Sequence, residues 1–404
     1  TNVIQLCNGA DQLLQYNGTV WTNPVITGLP LGANTSNIIN IFAQKRRLWY
    51  IIENSSIAAF MPVDAIAGAI AGYLDLGALW SKGGYLVAMI SWTIDGGSGP
   101  QDYAVFISSR GQITIYKGVD PTDADDWQLV GVFDIAQPIG RRCALRVGSD
   151  VMIITQDGVV PVSQALPFDP AADRSVALTA RIQNAMASAT NSAGENFGWQ
   201  QCMFQAQNLF FLNVPLAENS QQQQFVMNTL TGGWSQFIGW SANCFEIYGN
   251  DLFFGDNDGL VNQAYISPSD FVTSISADMQ CAFNWWDEPG RTKRMTMIQP
   301  LLTIGGELTP SITIDVDFES SNVTAPLSTL TGSVLWDSAI WDESIWPEPS
   351  ITFKNWLSVN ALGHAFAVRM RIAVDSGLTL TSLGIFDVGM FDFMTFDTAI
   401  PNAL

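Results

Sequence analysis

The sequence predicts an all-β protein. An irregular β-propeller-like body spans residues 1–275, a C-terminal β domain that closes the sheet spans 276–404, and one helix at about 173–193 brackets the sheets. Three observations carry this. Short apolar runs return on themselves across turn residues. That hairpin unit recurs five times, unevenly spaced, in about 265 residues. Helical periodicity is convincing in one stretch only. Radial repetition of small sheets is one way to protect sheet edges, so a propeller is the first choice. A stack of β-sandwiches is the second.

The hairpins are clearest in residues 102–166. Residues 103–107 (YAVFI) form an apolar run, Ser108-Ser109-Arg110-Gly111 is turn chemistry, and residues 112–116 return. Residues 151–154, the turn Thr155-Gln156-Asp157-Gly158, and residues 159–162 repeat the pattern. Gly, Asn and Asp tolerate the positive φ that tight turns need. Residues 9–21 turn at Asn17-Gly18, residues 46–61 at Asn54-Ser55, and residues 250–265 at Asp258-Gly259.

In chain order, residues 38–61 make the second sheet pair. Residues 62–79 (PVDAIAGAIAGYLDLGAL) read as a strand with a loop or as an interface loop, since Gly68 and Gly72 disfavour a helix. Residues 79–93 resume strand character, and IDGGSGP (94–100) is a loop. In the helix, Leu178, Ile182, Ala185, Met186 and Ala189 form an apolar stripe. Asp173 or Ser175 suits its start and Gly194 its end. Residues 197–240 form another β unit, with a polar Gln-rich tip expected at 220–224. Beyond a junction near 275, two strands are expected around Gly305-Gly306, with further strands at 365–372 and 378–386. Trp336, Trp341 and Trp346 recur every five residues, which fits neither helix nor strand and suggests a loop pinned to a surface by its rings.

Charged residues make up only 13% of the chain, against about 25% in ordinary domains. Gln, Asn, Ser and Thr replace them, and burial against partner subunits fits the same deficit. The net charge of −20 argues against a sequence-independent DNA-binding surface. A negative wall would still suit a conduit that DNA must slide through. Residues 1–20 lack the basic and apolar regions of a signal peptide, and no apolar run of membrane-spanning length occurs. The chain opens at Thr1, so a preceding segment is expected to be cleaved or absent. Five scattered cysteines without a CxxC read as buried free thiols.

No catalytic constellation stands out. The one histidine, His364, reads as a turn residue, and a single histidine excludes metal sites that need two. Phosphate-binding loops are absent. The Asp-Gly turns share only Asp and Gly with the repeated turns of propeller sialidases. The acidic run Asp120–Asp126 reads as a solvated turn, with Ca²⁺ binding as the weaker alternative. No cofactor is expected. Basic residues cluster at Lys45-Arg46-Arg47, at Arg141-Arg142 with Arg146, and at Arg291 with Lys293-Arg294. These are either inter-subunit salt-bridge patches or solvated strand ends. The three tryptophans read as core or interface residues, or as a sugar platform.

The runs YKGVDPTDADDWQLVGVFDIAQPIGRR, GSDVMIITQDGVVPVS, FEIYGNDLFFGDNDGLVNQA and LWDSAIWDESIW, in that order, resemble the tail nozzle, or head-to-tail stabilisation (tail tubular B-type), proteins of short-tailed bacteriophages. The resemblance covers residues 1–395. It implies a hexameric structural subunit in the virion, below the portal and adaptor. Such a ring extends the DNA channel, helps retain packaged DNA and meets adaptor-side proteins and tail fibres or spikes, without enzymatic activity or membrane insertion. The family has a further N-terminal β region without counterpart here, which implies processing or a strand supplied by another chain. A propeller glycosidase, with two carboxylates at roughly 5–9 Å, and a carbohydrate-binding adhesin using Trp336, Trp341 and Trp346 are the alternatives.

Overall fold

The computed structural model describes residues 3–95, 100–165, 177–266, 274–286, 288–304, 310–321, 323, 351–374, 378–387 and 390–394. The chain is all-β and divides into two compact units, Thr1–Asn262 and Gln263–Leu404. The division lies upstream of the expected junction near 275.

The first unit is propeller-like. Six antiparallel sheets follow one another in it among the described residues. The first pairs Ile4–Leu6, Leu14–Tyr16 and Trp21–Thr22. The second pairs Ile38–Gln44, Arg47–Ile52, Ile57–Phe60 and Gly72–Asp75. The third holds Leu86–Asp95, Pro100–Ser108, Gln112–Lys117 and Gln128–Asp134. The fourth holds Ala144–Val147, Asp150–Thr155 and Gly158–Pro161. The fifth runs Gln200–Phe204, Leu209–Ala217, Gln221–Asn228 and Trp234–Ile238. The sixth runs Ala242–Tyr248, Asp251–Asp256 and Val261–Gln263. Each sheet is an up-and-down meander, so strand order equals chain order. From the second sheet to the sixth, the first strand of each lies against the first strand of the next.

All five expected hairpins form. Asn17 shows why one of them does: its Oδ1 accepts from the backbone N–H of Thr19 and Val20 at 2.9 and 3.0 Å, and Gly18 takes φ 98°. At Gly111 the requirement is steric as well as conformational. Its φ is 78°, and a Cβ there would strike the Ile135 carbonyl.

Residues 62–79 contribute the fourth strand of the second sheet and a two-residue parallel bridge, Gly68–Ala69 beside Ile26–Thr27. The bracketing helix is a 3-10 turn, Leu178–Ile182, continued by the α-helix Gln183–Ala193. Its expected caps, Asp173 and Ser175, lie outside the described residues. The helix ends at Gly194, whose N–H donates to the Thr190 carbonyl. The 3-10 turn closes the fourth sheet, which has no fourth strand among the described residues. Thr179 Oγ1 accepts from the Val159 N–H at 3.2 Å. Gly158 leaves that hydroxyl room, because a Cβ there would collide with it.

Two readings are corrected. Of the five free cysteines expected to be buried, Cys143 and Cys202 are, Cys7 and Cys281 are half-buried and Cys244 is exposed. The hairpin end expected at 220–224 lies at residues 218–220, and the strand Gln221–Asn228 takes up the rest, with Gln222 and Gln224 buried. Gln222 Nε2 donates to the Asn243 and Asn257 side chains and Gln224 Nε2 to the Asn213 side chain and the Trp240 carbonyl, which offsets part of the cost of burying them.

Two aromatic clusters fill junctions between sheets. Trp49 meets Phe60, Phe106 and Trp127, and Tyr116 stacks on Trp127 at 5.5 Å, between the second and third sheets. Phe211, Trp240, Phe245 and Phe254 do the same between the fifth and sixth.

The second unit layers two sheets. Phe366–Val374 lies between Ile275–Gln280 and Ser311–Val316 in one. In the other, Lys293–Ile304 pairs with Ile351–Phe353, Leu357–Gly363 and Leu378–Asp387, and Met390–Met394 forms the edge. Met295, Ile298 and Leu302 of the second layer pack against Ile314, Phe366, Val368, Met370 and Ile372 of the first. The strands on either side of Gly305-Gly306 therefore belong to different layers and do not pair with each other.

Candidate functional site

The centre of the first unit is tied by two adjacent arginines that reach in opposite directions. Both lie in the turn that precedes the strand Ala144–Val147. Arg141 Nη2 meets Glu53 Oε1 at 2.7 Å, and its Nη1 donates to the Asn8 carbonyl at 3.4 Å, which joins it to the first and second sheets. Arg142 donates to Gln200 Oε1 and to the Asn243 carbonyl, both at 2.9 Å, on the fifth and sixth sheets. Its guanidinium lies 5.0 Å from the Phe197 ring centroid. Burial lowers the Arg142 pKa, with the thiol of Cys244 acting the other way.

Gln200 and Gln201 repeat the device. Gln201 donates to the Cys143 and Met152 carbonyls at 2.8 and 2.7 Å, toward the fourth sheet. Gln200 donates to the Phe245 carbonyl at 2.8 Å and accepts from the Phe245 N–H at 3.0 Å, toward the sixth. Fully buried Asn213 donates to the Gly198 and Ala242 carbonyls and accepts from Gln224. Gln222, Asn243 and Asn257 close the amide network.

The Lys45-Arg46-Arg47 cluster sits at a tight turn in which Lys45 and Arg46 take φ 48° and 62°. Each cation has an acidic partner within the chain. Lys45 meets Asp102 at 3.5 Å, Arg46 meets Asp64, and Arg47, itself buried, meets Asp120 at 2.9 Å. Asp120 and Asp126 also cap their own loop: Asp126 Oδ2 accepts the Val119 and Asp120 N–H groups at 2.7 Å. These backbone bonds hold the Asp126 carboxyl below the usual range, and the Thr122 N–H and hydroxyl do the same for Asp120. No group of three metal-ligating side chains occurs among the described residues.

A groove of about 680 Å³ lies beside the helix, lined by Gln137, Asp157, Gln183, Asn191, Glu195 and Asn196, among others. In the second unit, His364 Nε2 is 3.3 Å from Thr292 Oγ1 and its Nδ1 is 3.7 Å from Asp317 Oδ2. Asp317 also accepts the backbone N–H of His364 and Ala365. Trp336, Trp341 and Trp346 lie outside the described residues.

Sequence reasoning missed the apolar surface on the terminal sheets of the first unit. Ile4, Leu6, Leu14, Val20 and Trp21 are exposed at the first sheet, and Tyr248, Leu260 and Val261, the last at 77%, at the sixth. Gln5 turns inward to the Ile66 carbonyl and the Tyr50 hydroxyl, leaving Ile4 and Leu6 outward.

No protein-family model and no curated protein matches the chain. Among solved structures, an exo-β-1,3-galactanase from Phanerochaete chrysosporium is similar at 8% identity and TM-score 0.27, over 92% of this chain and 89% of that one. A protein from Lactobacillus plantarum is similar at 12% identity and TM-score 0.34, over 65% and 80%. An apocarotenoid oxygenase from Synechocystis is similar at 14% identity and TM-score 0.26, over 55% and 54%. The fold assignment rests on the chain's own sheet order.

Proposed function

We propose that the chain is a non-enzymatic ring subunit of a phage tail, a nozzle or head-to-tail stabilisation protein that forms a DNA conduit below the portal and adaptor. The observation that carries the reading is the exposed apolar surface on both terminal sheets of the first unit. Two unlike faces on one body suit a head-to-tail contact, which closes into a ring when the rotation between copies permits. The motif order supplies the virion context and a ring of about six copies. The acidity supports a wall that phosphates do not stick to, and the internal pairing of Lys45, Arg46, Arg47 and Arg141 withdraws cations that would bind them.

Mass photometry with negative-stain imaging tests this reading. A ring of about six copies with a central pore is expected, and Leu6→Asp or Val261→Asp should break it into smaller species. A particle of 44.0 kDa at all concentrations, also in the presence of portal-side tail proteins, would overturn it.

The groove favours a second reading, a glycosidase, because Asp157 and Glu195 both line it. Turnover of a glycan panel that Asp157→Asn abolishes would establish that reading at the expense of the first.

A further inference from the structure

We infer that the second unit carries a carbohydrate-binding surface made of Phe283, Trp285 and Phe318, with Thr292, His364 and Asp317 at its rim. The three rings form one cluster. Phe318 lies 4.5 Å from Phe283 and 5.7 Å from Trp285, centroid to centroid. Phe318 is 62% exposed and Trp285 41%.

The backbone holds these rings outward at a conformational cost. Asp317 and Phe318 take φ 50° and 69°, and Trp286, next to Trp285, takes 42°. Bulky residues in the left-handed region are genuine outliers that persist only when their surroundings over-determine them. Here they do. Asp317 N–H donates to the Ala365 carbonyl, its carboxylate accepts two backbone N–H groups in return, and Asn284 exchanges backbone hydrogen bonds with Phe366. Gly363 makes room for the turn, since a Cβ there would meet Val316 and Asp317.

The chemistry beside the rings selects the ligand. A pyranose offers C–H faces that stack on aromatic rings and hydroxyls that both donate and accept. Thr292 Oγ1 and the His364 imidazole are 3.3 Å apart, both groups also donate and accept, and His364 is tied to the residue preceding Phe318. The exposed apolar surface of the first sheet is different: it is mostly aliphatic and suits a protein partner. A protein contact at the ring cluster is therefore the competing outcome.

The test is electrophoresis of the full chain in native gels cast with soluble galactan, β-glucan, mannan or xylan. Retardation by at least one of them is expected. Trp285→Ala and Phe318→Ala should each weaken it about tenfold with unchanged thermal melts, while Trp285→Phe keeps most of it. Thr292→Val, a smaller change, guards against misfolding of the ring variants and should weaken retardation less. No retardation by any of the four polysaccharides would overturn the inference. So would equal retardation of the alanine variants, or ring variants that alter particle mass and leave retardation unchanged. The inference does not depend on the ring reading: a retarded monomer keeps this surface and loses the ring.

Discussion

The junction between the second and third sheets and the junctions among the fourth, fifth and sixth have similar apolar filling but different polar ties. Stacked aromatics fill the first junction and the one between the fifth and sixth sheets. At the first, two polar ties are ionic, Lys45 to Asp102 at 3.5 Å and Arg47 to Asp120 at 2.9 Å, beside a neutral one from Trp80 Nε1 to Thr114 Oγ1 at 2.8 Å. At the others, side-chain amides bond the backbone of the next sheet. An amide carries donor and acceptor together, does not titrate and is not screened by salt. The low charge fraction follows from this choice, because glutamine and asparagine join sheets where other proteins place ions. The two kinds of junction should therefore fail under different conditions.

The largest effect is expected at the amide junction. Asn213→Ala removes a fully buried group that satisfies two backbone carbonyls and the Gln224 amide. Leaving buried polar groups unpaired costs about 1–3 kcal/mol each, so about 3 kcal/mol of first-unit stability should be lost. Urea unfolding measures it, and the loss should be the same at low and high salt. A loss that shrinks in salt would mean the junction is ionic after all.

A smaller effect is expected at Arg142, a cation on the amide side. Arg142→Met keeps an unbranched apolar side chain and removes the guanidinium that lies over Phe197 and bonds Gln200 and Asn243. About 1–2 kcal/mol should go. Hydrogen exchange should place the loosening at the Phe245 N–H, which Gln200 holds. Loosening at the first or second sheet instead would show that the two arginines act as one hub rather than in opposite directions.

The ionic and amide junctions were not equally legible. The turns were readable because Asn17, Asn54, Gly111 and Gly158 act locally, through side-chain bonds or positive φ within a few residues. The basic triplet was visible, but its partners Asp64, Asp102 and Asp120 are distant in sequence, and only the fold brings them there. The glutamine run at 221–224 was misread because a polar run resembles an exposed tip. Nothing local says that a backbone carbonyl waits on the next strand. His364 shows the same limit: its partners Thr292 and Asp317 come from separate strands. The apolar surface of the first sheet was hidden because strands of two or three residues are too short to display an alternation.

The smallest effect, and the sharpest separation of the two junctions, is expected from pH. The Thr93 hydroxyl, and after it Lys45, hold the Asp102 carboxyl below its usual value of 3.8. A carboxyl with a depressed folded pKa contributes stability above its unfolded pKa, and that contribution is lost as pH falls through the folded value. The Asp102 carboxylate is partly exposed, so the effect is modest and weakens further in salt. As pH falls below about 4, exchange protection of Leu86–Asp95 should fall while that of Gln200–Phe204 holds. Asp102→Asn should lower the protection of Leu86–Asp95 at neutral pH and flatten its acid response. Parallel acid responses of the two strands in the wild-type chain would mean that carboxylates elsewhere control both, and that the amide junctions confer no separate resistance.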